Sequence, residues 1–275
     1  MKIKKLLSRY KTLNTLIVLT LLLLGFAILY FLYYRQRSQA FLYASVTLIR
    51  PTNIPINAAF NWVPYWIANS ININDVEKST LGSLNAIVVD KTAYEGQGYG
   101  QYVYLLLKIN SVKDRSGVYL YKNKPLVVGS ILDLKLSNTQ TQAMVTYLGT
   151  MPPVYKYKKI ILSLKGRSWE SWVVDSIKEG SEIKDSKGKT IAKIIDLKSG
   201  PAEVRSDSSL GQAKVSYDQT RKDFTIKAEM IVRDDNGIYY FEEFQKVKVA
   251  EGLYLTFAQN SLSPQISSIE SVTDL

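Results

Sequence analysis

From Leu13 to Tyr34 the chain runs 22 residues without a charged side chain, and no apolar stretch of comparable length recurs. Such a run predicts one helix: at about 1.5 Å per residue it spans roughly 33 Å, against about 30 Å of bilayer hydrocarbon. Tyr30, Phe31, Tyr33 and Tyr34 gather at its C-terminal end, where amphipathic rings favour the headgroup region. Beyond residue 40 the pattern changes to short apolar runs punctuated by Gly, Asn, Asp and Pro, which predicts strands and turns. Tyr43–Ile49 and Lys159–Leu164 are strand candidates, and Arg115-Ser116-Gly117 and Asp235-Asn236-Gly237 are hairpin signals because Asn and Gly tolerate φ > 0. Further helix is expected only around Ala58–Asn69 and Glu170–Ser176.

The strand pattern is repeated. Trp66-Ile67-Ala68-Asn69-Ser70-Ile71 returns as Trp172-Val173-Val174-Asp175-Ser176-Ile177, and Gly82, Ala86 and Asp90 match Gly188, Ala192 and Asp196, all at an offset of 106 residues. Asn74 stands where the second copy has Gly180, which predicts a left-handed turn residue at both. Further on, Lys113–Tyr119 resembles Arg233–Tyr239, and Leu126–Ile131 resembles Val249–Tyr254 with Gly129 opposite Gly252. Gly149–Pro153 reads as the linker, since its two prolines cannot donate to a ladder. The expected fold is mainly β: one N-terminal transmembrane helix followed by two tandem homologous small β-barrel or β-sandwich domains. The expected boundaries are a basic cytoplasmic tail over 1–12, the membrane helix over 13–34, copy 1 over 42–149 and copy 2 over 154–275.

The net charge of +11 raises the question of nucleic acid. Residues 1–40 hold seven Lys/Arg and no acid, leaving 28 basic against 24 acidic residues in the rest. The excess therefore flanks the anchor instead of forming a phosphate-binding stripe, and no nucleic-acid partner is expected. Five bases precede the apolar run and only Arg35 and Arg37 follow it closely, so the N-terminus is expected in the cytoplasm and the bulk of the chain outside it. A cleaved signal peptide is the rival reading. Its apolar region is ordinarily about 7–15 residues, and here bulky aromatics occupy the cleavage region. With no Cys and no His, disulfides, thiolate or imidazole metal sites and every nucleophile–His arrangement are excluded.

The turn and strand of Trp172–Asp196, and Gly237–Ser271 with its Val247-Lys248-Val249-Ala250-Glu251-Gly252 lead into a strand, resemble the bacterial family catalogued as domain of unknown function 4330. The resemblance implies a single N-terminal membrane helix and a compact β-rich domain; it brings no activity, cofactor or catalytic residue. The second unit departs from the family's pattern. A weaker likeness is to the periplasmic adaptors of efflux systems, whose long helical hairpin has no counterpart here.

Glu95-Gly96-Gln97-Gly98-Tyr99-Gly100 fits neither nucleotide fingerprint. The segments 94–101 and 205–214 read as diverged loops at matching positions, able to line a shared surface. Trp66 and Trp172, equivalent by the repeat, are expected in the core, while Trp62 and Trp169 are the surface candidates. Trp62, Trp169, Tyr94, Tyr99 and Arg205 thus form the possible ligand or partner surface. Glu242 and Glu243 are expected on opposite faces of a strand and so unable to serve one catalytic site. No metal, cofactor or catalytic residue is expected. The first reading is a non-enzymatic envelope adaptor or scaffold, with the lipid bilayer (through 13–34) and an envelope protein or cell-wall component as partners. The alternatives are a glycan- or peptide-binding module and, last, a carboxylate-dependent hydrolase.

Overall fold

A computed structural model describes residues 17–31, 39–50, 62–96, 100–114, 116–207, 213–258 and 260–275. Residues 17–31 are helical (α1), with large side chains such as Leu23 and Phe26 exposed. Among the described residues no helix is long and apolar enough to cross a membrane. The expected tail 1–12 lies outside them, and the expected span 13–34 extends past them on both sides.

The rest is mainly β, in two large sheets each curled into a half-barrel and one small two-stranded sheet. The first unit comprises β1 (Gln39–Ile49), β2 (Val63–Pro64), helix α2 (Tyr65–Ser70), β3 (Val76–Lys78), β4 (Leu84–Glu95), β5 (Gly100–Lys113), β6 (Tyr119–Tyr121), β7 (Lys124–Pro125), β8 (Ile131–Lys135) and β9 (Gln140–Gly149). The second comprises β10 (Lys156–Glu170), helix α3 (Ser171–Asp175), β11 (Glu182–Lys184), β12 (Thr190–Asp207), β13 (Ala213–Asp235), β14 (Ile238–Phe241), β15 (Gln245–Lys246), β16 (Leu255–Thr256), β17 (Ser261–Leu262) and β18 (Gln265–Asp274). Strand order in the first sheet is β3-β4-β5-β1-β9-β8, and in the second β11-β12-β13-β10-β18. The pairings that define these orders are antiparallel throughout.

Period-two alternation builds each core. On β1, Leu42, Ala44, Val46 and Leu48 face inward; on β10, Ile160, Leu162 and Leu164 do. Burying each large aliphatic chain contributes about 1.5–3 kcal/mol. Three irregularities coincide in the two sheets as well. Register shifts fall at Val88/Asp90 and Ile194/Asp196, at Glu77/Lys78 and Ile183/Lys184, and at Ser45/Val46 and Ser163/Leu164. Asn74 (φ 71) donates its N–H to the Val88 carbonyl at 2.8 Å, and Gly180 (φ 83) to that of Ile194 at 2.9 Å.

The later match needs correcting. Gly129 (φ 89) donates to Val145 O as Ala250 (φ 71) donates to Ile266 O, so Ala250, not Gly252, is its counterpart. Gly252 instead bridges Gln265, as Ile131 pairs with Met144. A second correction concerns the expected loop 205–214. Arg205 lies on β12 opposite Val215, in a ladder running to Asp207 and Ala213. Val204, Val215 and Tyr217 alternate with polar residues and carry the strand pattern into this exposed hairpin.

The two cores interlock at one point. Tyr94, on β4 of the first unit, is buried in the apolar cluster of the second, with Tyr104 of β5 packed beside it. Two hydrogen bonds reinforce the seam: Ser186 N–H donates to Ala93 O at 3.0 Å, and Ala93 N–H to Ser186 Oγ at 2.8 Å.

Candidate functional site

The turn joining β14 to β15 is the most unusual local structure in the second unit. Phe244 N–H closes it on Phe241 O at 3.3 Å, and its central residues, Glu242 (φ 51) and Glu243 (φ 68), both occupy the left-handed region. This is a type I′ turn, whose usual occupants are Asn-Gly, as in the neighbouring Asn236 (φ 53) and Gly237 (φ 88). Two glutamates there cost roughly 1–2 kcal/mol each in backbone strain. The first unit has the same turn with Lys122 (φ 49) and Asn123 (φ 63). Phe244 holds the glutamate turn against the first unit, its ring centroid 4.1 Å from that of Tyr102.

The two carboxylates are treated differently. Glu243 accepts hydrogen bonds from Tyr157 OH at 2.9 Å and from the Arg233 guanidinium. Arg233 in turn lies 5.2 Å from the ring centroids of both Tyr155 and Tyr240. Glu242 is only 5% exposed, and burial pushes its carboxyl up to about 8; a hydrogen bond from Gln245 Nε2 works against that shift and the Glu95 charge adds to it. Burial, together with the charge of Glu243, also raises the Tyr94, Tyr104 and Tyr157 phenols, so these hydroxyls stay protonated, that of Tyr157 already donated to Glu243.

Beside this turn a cleft of about 430 Å³ opens between the units. Tyr94, Tyr104 and Asp90 line it from the first unit, Tyr157, Arg233 and Glu243 from the second, and Tyr155 from the linker. Lys187 spans its rim to Asp90 at 2.8 Å. Such a cleft offers aromatic faces, phenol donors and paired charges to a polar ligand with apolar faces of its own. Among the described residues no cluster of acidic side chains is arranged to hold a metal ion.

Of the residues singled out from sequence, the cleft gathers Tyr94 alone. Trp62 is half-buried, its ring so close over Gly100 that a Cβ there would lie 2.1 Å from it, with the Arg50 guanidinium 4.8 Å from the ring centroid. Trp169 is half-buried edge-on to Phe224 at 6.2 Å. Arg205 is exposed and paired with Glu203, and Tyr99 lies outside the described residues. The core assignment of Trp66 and Trp172 is overturned: they are 67% and 66% exposed. Each is the second residue of its short helix, whose inward face is taken by Ala68 in one and by Val173 and Val174 in the other. The expectation for Glu242 and Glu243 is corrected too: they sit in a turn, and both line the same cleft. Glu242, Glu243, Arg233 and Tyr157 were not singled out as a site. The available signal was Phe-Glu-Glu-Phe where the first copy has Tyr-Lys-Asn-Lys.

No family model, no curated protein and no solved structure matches this chain.

Proposed function

We propose that this chain is a membrane-tethered, non-enzymatic binding module of the cell envelope, built from a duplicated β unit and taking its partner in the cleft between the two copies. The cleft carries the reading: side chains of both units line it, and a strained turn is maintained at its wall, which is where proteins keep strain for function. Binding is favoured over hydrolysis because Glu243 is already committed to Arg233 and Tyr157, while Glu242 is buried beside Gln245. Duplication has the support of a strand order shared over five strands, coincident bulges and matching turn hydrogen bonds. The anchor over 13–34, its cytoplasmic N-terminus, and the likeness to the domain of unknown function 4330 family belong to the same proposal and rest on the sequence.

A photo-crosslinking residue at Tyr157 in intact membranes tests the reading. Adducts to an envelope protein or to cell-wall glycan, lost on Arg233→Ala, are expected; recovery of self-contacts alone would sink it. Intact mass of the membrane-extracted protein tests the anchor, and loss of the first 40 or so residues would replace it with a cleaved signal.

A further inference from the structure

A second cavity, a groove of about 680 Å³, opens beside α3 and shares no lining residue with the cleft at the strained turn. Trp172, Tyr254 and Phe257 of the second unit line it, together with Tyr65 and Glu95 of the first. The first unit explains why the groove exists. There Glu77, 1% exposed, occupies the corresponding ground and accepts bonds from Tyr121 OH, Lys122 Nζ and, at 3.0 Å, Lys135 N–H. In the second unit the counterparts of Glu77, Tyr121 and Lys122 are Ile183, Phe241 and Glu242, and that of Lys135 is Thr256. The polar network is replaced there by the buried apolar side chains of Ile183 and Phe241. Thr256 Oγ1, on the groove wall, is buried without a hydrogen-bond partner.

The charge of the groove identifies what it would take. Glu182 is paired with Lys184 and also accepts from Thr190, but Glu95 has no cationic partner among the described residues. Its carboxylate accepts, among those residues, from the neutral donors Tyr65 OH and, at 2.9 Å, Gln101 Nε2. The Tyr65 phenol, pushed up to about 12 chiefly by that bond, stays protonated and so is a neutral donor. An uncompensated carboxylate beside four aromatic rings, one of them an indole 66% exposed, is the chemistry that holds an organic cation through ring quadrupoles and one counter-charge.

We infer that this groove binds an organic ammonium group, with Trp172 and Tyr254 facing the cation and Glu95 neutralising it. The site is separate from the inter-unit cleft, so its failure leaves the proposed function standing.

Calorimetric titration of the full chain in nanodiscs with choline tests it, with 3,3-dimethylbutanol as the uncharged isostere. Choline is expected to bind saturably, and the isostere at least ten-fold more weakly. Glu95→Gln should weaken choline ten-fold or more, and Trp172→Ala should abolish its binding. Trp66→Ala should change nothing: Trp66 is as exposed as Trp172, but in its unit the Glu77 network fills the ground beside it. Should Trp172→Ala fail to fold, Trp172→Phe and the isostere still decide. Equal binding of choline and the isostere, or no choline binding at tens of millimolar, overturns the inference.

Discussion

Glu242→Gln is the substitution whose consequence follows most directly from the structure. An ordinary glutamate ionises near 4.5, and burial moves Glu242 to about 8. Because the group is an acid with a raised folded-state pKa, folded and unfolded chains both hold the proton below about 4.5 and no stability is lost there. Between the two values the unfolded chain releases its proton and the folded one keeps it, so stability falls as pH rises, and it levels off above about 8. At about 1.36 kcal/mol per unit, the ceiling is about 5 kcal/mol. Glutamine retains an acceptor for Gln245 Nε2 and never ionises. Urea unfolding of the wild type and Glu242→Gln should therefore nearly coincide at about pH 5 and diverge by several kcal/mol at about pH 9, with the variant more stable. Glu243→Gln keeps an acceptor oxygen but gives up the charge that pairs with Arg233, so it should lower stability instead of raising it. Parallel curves for wild type and Glu242→Gln would refute the argument that burial governs this carboxyl.

Other expectations follow from packing and from the seam. Glu77→Ala removes the common acceptor of Tyr121, Lys122 and Lys135 and should cost about 3 kcal/mol, seen as a lower urea midpoint. Gly166→Ala places a Cβ 2.2 Å from Phe224 Cζ, and the overpacking should cost about 1–3 kcal/mol by thermal unfolding. Ser186→Ala withdraws the side-chain acceptor of Ala93 N–H, so hydrogen exchange at that amide should quicken by roughly ten-fold, about 1 kcal/mol, with exchange in β10 unchanged.

Periodicity made much of the β architecture readable, because one face of each strand is buried and the alternation is clean on β1, β10 and β13. The left-handed residue at Asn74 was readable for a similar reason: few residue types tolerate that backbone, and Gly stands opposite it in the repeat. What stayed hidden depended on neighbours far along the chain. Repetition of Trp66 and Trp172 was read as burial, but a two-turn helix hides only one face, and Ala68, Val173 and Val174 had already claimed it. The Glu242-Glu243 pair broke the ordinary residue preference for its turn, so local propensity pointed to a strand. Gly252 drew the alignment two residues out of register because Ala250, a residue that rarely takes φ > 0, holds the true turn position.

The seating of Tyr94 has a consequence for how far the two copies are separate bodies. A tandem repeat invites excision, one copy expressed without the other. Here the later copy's interior is finished by a phenol ring from the earlier one. Cut at the linker, the later copy would carry a vacancy the size of that ring and a wet patch where its sibling had sealed it, while the earlier copy would lose seam contacts at Tyr94, Tyr102, Tyr104 and Ala93 but keep an apolar cluster made wholly of its own residues. The pair therefore has a direction: the first copy is a template the second leans on, and dissection of this chain should proceed from its C-terminal end.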